Sequence, residues 1–175
     1  LHKFSPAGFD LLIVTQAAAN ELTASEQNPV LDFVENGGIL VSDGRSELAE
    51  KLGFRFLAQA LYVTRVRETS MPLPAYSWNP PAVVNPFRAE DSRVLCLDDA
   101  SGQPLAVVKA VGRGRVLFFG TPLDPLTPFG ISRFPYFPYY LKNVLQISFP
   151  VRRANLEFYF DPGLRQNVSW ERLVR

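Results

Sequence analysis

The stretch FVENGGILVSDGRSELAEKLGF, residues 33–54, decides the fold class. It leaves an amphipathic segment through Gly37 and Gly38 and enters the apolar run Ile39–Val41. It then turns sharply at Ser42-Asp43-Gly44 and starts a second helical segment at once. Helix, glycine stop, buried strand, polar turn and helix is the grammar of an α/β protein. Whether the turn carries a nucleophile or only the shape of one is the functional question.

Upstream, FDLLIVTQ (residues 9–16) is apolar without alternation, as a strand covered on both faces must be. Next, Thr23 and Glu26 have the T-x-x-E spacing of a capping box, in which each side chain satisfies an orphan amide at a helix start. Val30, Leu31, Phe33 and Val34 then form an apolar stripe, and Pro29 predicts a distorted or delayed first turn. Downstream, Ser46 caps the short helix ELAEKL, Gly53 closes it, and FRFLAQALYVTRVRE returns to strand composition. The order β-α-β-α-β predicts a mostly parallel sheet with helices on both faces.

Residues 71–86, MPLPAYSWNPPAVVNP, hold five prolines in sixteen positions and predict an extended surface excursion. Residues 92–121 predict a β-hairpin insertion turning at DDASGQ. A tight turn at Gly112-Arg113-Gly114 follows, and then RVLFFGT, an apolar strand inside the sheet. SRFPYFPYYLKNVLQI becomes a helix with Phe137, Leu141, Val144 and Leu145 toward the core. Residues 1–150 therefore form one α/β domain, and 151–175 a linker with the beginning of a following domain. The absence of an initial Met and the early first strand suggest a piece of a longer protein.

Composition narrows the function classes. The 175 residues carry 18 basic and 17 acidic side chains, net +1, and the 14 arginines are scattered. No field favours nucleic acid. No apolar run reaches the roughly 20 residues of a membrane span. One cysteine, Cys96, and one histidine, His2, exclude a disulfide framework and a multi-cysteine metal site. Cys96 reads as a small buried hydrophobe and His2 as a frayed surface residue. No metal or other cofactor is implied.

Taken together, FDLLIVTQ, LTASEQNPVLDFVENGGILVSDG, GQPLAVVKAVGRGRVLFFGT and YFPYYLKNVL resemble the class I glutamine amidotransferase-like superfamily, over about residues 8–147. The texture is nearest to the non-catalytic members found as modules of larger carbohydrate-active proteins, such as the middle domain of some β-galactosidases. The resemblance implies a flavodoxin-like fold and contacts with neighbouring domains of the same polypeptide or a homo-oligomer. It places Ser42 or Asp43 where catalytic members carry their cysteine. It also implies a first strand-helix unit before FDLLIVTQ, which is either missing, leaving the sheet edge incomplete, or lies upstream of Leu1 with LHKFSPAG as its tail. A triad needs an imidazole to take the nucleophile's proton, and none follows His2. Glutamine hydrolysis is not expected.

In an open α/β sheet, ligands bind beyond the carboxyl ends of the strands. The residues predicted there are Gln16, Ser42, Asp43, Arg45 and Asp124, with Thr15 and Thr121 beside them. One reading is a pocket for a small polar ligand. In another, Asp43 and Ser46 cap the next helix while Arg45 pairs with an acid. A third makes Asp43 and Asp124 the active site of a hydrolase with no cysteine. Trp78, Tyr136 and Tyr139 are candidates for an aromatic surface that stacks on sugar rings or a neighbouring domain. NVS at 167–169 matches a glycosylation sequon. LEFYFDPGLR, with Asp161, resembles the first strand of barrel-type sugar-processing domains.

Overall fold

The computed structural model describes residues 6, 8–69, 75–124, 127, 130–133 and 137–148. His2, Tyr136, Asp161, the sequon and the predicted second domain lie outside them.

Strand β1 (Leu11–Val14) leads into helix α1 (Gln16–Glu21), then α2 (Ala24–Glu35), β2 (Ile39–Asp43) and α3 (Glu47–Lys51). The capping box forms as its spacing requires. The Thr23 amide donates to Glu26 Oε2 at 2.9 Å, and the hydroxyl donates to the same oxygen at 2.7 Å. Pro29 is accommodated inside α2, one turn beyond its start, instead of delaying it. Gly37 at φ 112° ends the helix in a conformation that favours glycine. Helix α1 was not anticipated; Thr15 caps it, yet its QAAANE sequence carries no apolar stripe.

The rest of the described residues are mainly strand. β3 (Arg55–Phe56), β4 (Leu61–Glu68), β5 (Tyr76–Val84), β6 (Phe87–Arg88), β7 (Ser92–Asp98), β8 (Pro104–Val111) and β9 (Gly114–Phe119) precede a 3-10 turn and α4 (Phe137–Ser148). Among the described residues, seven strands form one sheet in the order β1-β2-β9-β8-β7-β4-β5, and β3 pairs with β6 in a separate ribbon.

This corrects the expected mostly parallel sheet to a mixed one. Only β1-β2 and β2-β9 are parallel; the other four pairings of the large sheet are antiparallel. Parallel neighbours need a long crossover, which α1 and α2 supply between β1 and β2. The two-residue turn at Gly112-Arg113 and the turn over 99–103 leave β7, β8 and β9 no option but to reverse. The run FRFLAQALYVTRVRE is split as well, part in the small ribbon and part antiparallel in the main sheet.

The proline-rich stretch is the second correction. From Tyr76 onward it is the edge strand β5, not an excursion. An edge strand has one unpaired side, where a missing proline amide costs little. Its register against β4 shifts between Val63 and Arg65, opposite the segment that holds Pro80 and Pro81.

Helices cover both faces. Val30 and Val34 of α2 and Leu48 of α3 pack with Leu40, Val116 and Phe118 on one side. Phe137 and Val144 of α4 pack with Val41, Leu117 and Phe119 on the other, with Leu141 and Leu145 against them. Strand alternation sends successive β9 residues to opposite cores. Phe118 stacks on Phe54 at 4.1 Å between centroids and meets Phe87 edge-on at 4.9 Å. Such contacts add about 0.5–1.5 kcal/mol each beyond burial.

Candidate functional site

The carboxyl ends of β1 and β2 and the segment after β9 meet at one place. Asp43, the last residue of β2, is fully buried there. One carboxylate oxygen accepts the amide of Gln16, at the start of α1, and the other accepts the amide of Leu123, beyond β9. The Gly44 amide, next in sequence, donates to the Phe119 carbonyl at 2.9 Å. Asp43 thus ties three strand ends that are distant in sequence.

Ser42 is equally buried and faces away from this chemistry, its hydroxyl donating to the Val14 carbonyl at 2.9 Å. The left-handed conformation of the turn falls on Gly44, at φ 59°, and Asp91 is the one non-glycine with positive φ among the described residues. A strained strand-to-helix turn that presents a nucleophile holds that strain on the nucleophile itself. Here the strained position has no side chain.

Asp43 experiences opposing influences. Burial raises its carboxyl from 3.8 to about 6 against the Leu123 and Gln16 amides, which pull it down, and Asp124 adds a smaller upward push. Burial therefore dominates, because a charge removed from water is penalised more than two amides offset.

Beside this tie lies a cleft of about 240 Å³ whose polar lining is Thr15, Gln16, Asn20, Asp43, Asp124 and Thr127. Ala17 and Pro122 also line it, and among the described residues no basic side chain contributes. The fold brings Gln16, Asp43 and Asp124 together and leaves Ser42 and Arg45 outside this lining. Arg45 pairs with Glu50 at 3.5 Å, both more than half exposed, and lies 6.0 Å from the Phe56 ring centroid. Exposed pairs of this kind contribute about 0–1 kcal/mol. Ser46 caps α3 by accepting the Ala49 amide at 3.2 Å. Asp43 does not cap α3; its carboxylate receives Gln16 and Leu123 instead. Asn20 and Thr127 were missed by sequence reading. Asn20 stands four residues after Gln16, on the same face of a helix whose only local signal is the Thr15 cap.

Cys96 sits on β7, 3% exposed, opposite Glu68 of β4. Burial pushes its thiol well up, the nearby Glu68 charge pushes the same way, and Tyr140 opposes them. Burial likewise pushes the Tyr140 hydroxyl up, with Cys96 and Glu68 adding to it. No group of three or more His, Cys, Asp or Glu able to hold a metal occurs among the described residues. No described helix is long and apolar enough to cross a membrane. Trp78 and Tyr139 lie on β5 and α4, but their side chains are outside the description, so the aromatic surface remains an expectation.

The sequence matches no protein-family model and no curated protein. Its fold is similar to that of solved structures at low identity. Over 85% of this chain, a β-galactosidase from the Antarctic haloarchaeon Halorubrum lacusprofundi matches at 16% identity and a TM-score of 0.59, with 23% of that chain covered. Cytoplasmic protein STM1381 from Salmonella typhimurium LT2 matches over 79% of this chain and 71% of its own, at 17% identity and a TM-score of 0.57. A β-galactosidase from Bacillus circulans sp. alkalophilus matches over 65% of this chain and 20% of its own, at 17% identity and a TM-score of 0.51. The chain thus spans about a quarter or less of these β-galactosidases, and the fold recurs as a domain within carbohydrate-processing enzymes.

Proposed function

We propose that this chain is a non-catalytic, amidotransferase-like module of a larger carbohydrate-processing protein. It works through contacts with neighbouring domains or subunits, with the cleft beside Asp43 available to a small polar ligand. The observation that carries this reading is the fate of the turn at Ser42-Asp43-Gly44. The hydroxyl is spent on the Val14 carbonyl and the carboxylate on two backbone amides. A general base or nucleophile must be free to reach its substrate; Ser42 lies outside the cleft lining, and both Asp43 oxygens on the cleft wall are already engaged by amides. The parallel β1-β2-β9 core and the recurrence of the fold within β-galactosidases support the family and the context.

A second reading has one observation in its favour. Asp43 is held near pH 6 beside Asp124 in a cleft, as a hydrolase acid or base would be. Turnover assays on glutamine, aryl esters and aryl glycosides separate the two. The module reading expects no hydrolysis above background by the chain or by its Asp43→Asn variant. Turnover lost in Asp43→Asn, with the thermal transition retained, establishes the hydrolase.

A further inference from the structure

The two amides that bind Asp43 come from elements 27 and 80 residues away and converge on one carboxylate. Converging backbone donors at the carboxyl ends of parallel strands are an anion-binding arrangement. In this chain the anion is part of the fold. Among the described residues, the polar ones lining the cleft beside it carry carboxylates, hydroxyls and amides.

We propose that Asp43 is a built-in occupant of a two-amide anion site, closing the strand ends to external carboxylates. The inference deepens the cleft reading above and rests on Asp43 being a tie and not a reacting group. Shortening Asp43 to alanine leaves the Gln16 and Leu123 amides without their acceptor and opens a space the size of a small carboxylate. A free monocarboxylate restores both hydrogen bonds there without any covalent link. In the wild-type chain the same anion finds both amides taken and meets the charge of Asp124.

The test is thermal unfolding of the wild-type chain and Asp43→Ala in rising sodium formate, with sodium chloride at matched ionic strength as control. Formate is expected to raise the variant's Tm saturably and to leave the wild type on the chloride curve. Equal response of the two proteins, or none in the variant, overturns the proposal. If Asp43→Ala folds only when formate is present, the proposal is supported. If it folds under neither condition, wild-type NMR decides. Gln16 and Leu123 amide shifts unmoved by formate agree with an occupied site, and a saturable shift of both shows an open one. Hydrolysis that depends on Asp43 would sink the tie reading separately from this result.

Discussion

Ser42 and Val14 are joined across the β1-β2 ladder, the buried Ser42 hydroxyl donating to the Val14 carbonyl at 2.9 Å. The residue at the expected place of a nucleophile is therefore a staple between parallel strands. Ser42→Ala should destabilise the fold by about 1 kcal/mol, the net worth of one such bond. Ser42→Cys should gain no glutaminase activity, since no described residue offers an imidazole beside it. Denaturant unfolding and an ammonia-release assay check the pair.

Stability should fall as pH rises through the range in which Asp43 ionises. Its folded pKa, about 6, lies above the unfolded 3.8, so in between the folded state holds more protons and loses ground with each pH unit. The contribution is fully present below about pH 4 and gone above about pH 6, on the order of 3 kcal/mol in all. Urea unfolding at pH 4, 5, 6 and 7 should show this decline. In Asp43→Ala the component should be missing, while at pH 4 the variant should be about 2 kcal/mol less stable, because two buried amides lose their acceptor.

Gly114→Ala should be among the most damaging single substitutions. A Cβ at this position runs into the carbonyls of Val34 and Gly38, where the end of α2 crosses the start of β9. These are backbone atoms of α2 and of the link into β2, so relief requires α2 to move off the sheet. A loss of about 3 kcal/mol or more is expected, of the kind that overpacking produces. Gly102→Ala meets nothing and should cost only the strain of its φ of 71°, about 1 kcal/mol. The difference in Tm between the two variants is the check.

Cys96 should be inert in the folded protein. It is 3% exposed, and burial followed by the Glu68 charge keeps it in the thiol form. A thiol-disulfide reagent at pH 8 should label it only at the rate of unfolding, and should label it at once in denaturant.

Much of the fold is local and was legible in the sequence. The Thr23–Glu26 box, the Gly37 stop and the Ser46 cap are written within four residues of where they act. RVLFFGT reads as interior because both its faces are apolar, and β9 does lie between β2 and β8. Strand direction was legible only across short turns, as in the β7-β8 hairpin, and not for the sheet as a whole. Pairing partners are set by turn lengths elsewhere in the chain, and the split of residues 55–68 into β3 and β4 answers to different partners, β6 for one and β5 and β7 for the other. Pro80 and Pro81 suggested no strand because composition does not say which strand is an edge. At the site, the sequence brought Gln16, Asp43 and Asp124 into one group. It could not indicate that Asp43 is wholly buried, because its partners are main-chain amides of Gln16 and Leu123, which no side-chain pattern encodes.

The most direct measurement is an NMR titration that follows the Asp43 carboxyl carbon together with the amides of Gln16 and Leu123. All three should move with one midpoint near pH 6, and the amide movements should vanish in Asp43→Asn. An Asp43 carboxyl that titrates in the ordinary carboxylate range while both amides stay still would contradict the account, since the group would then stand in water, free to act.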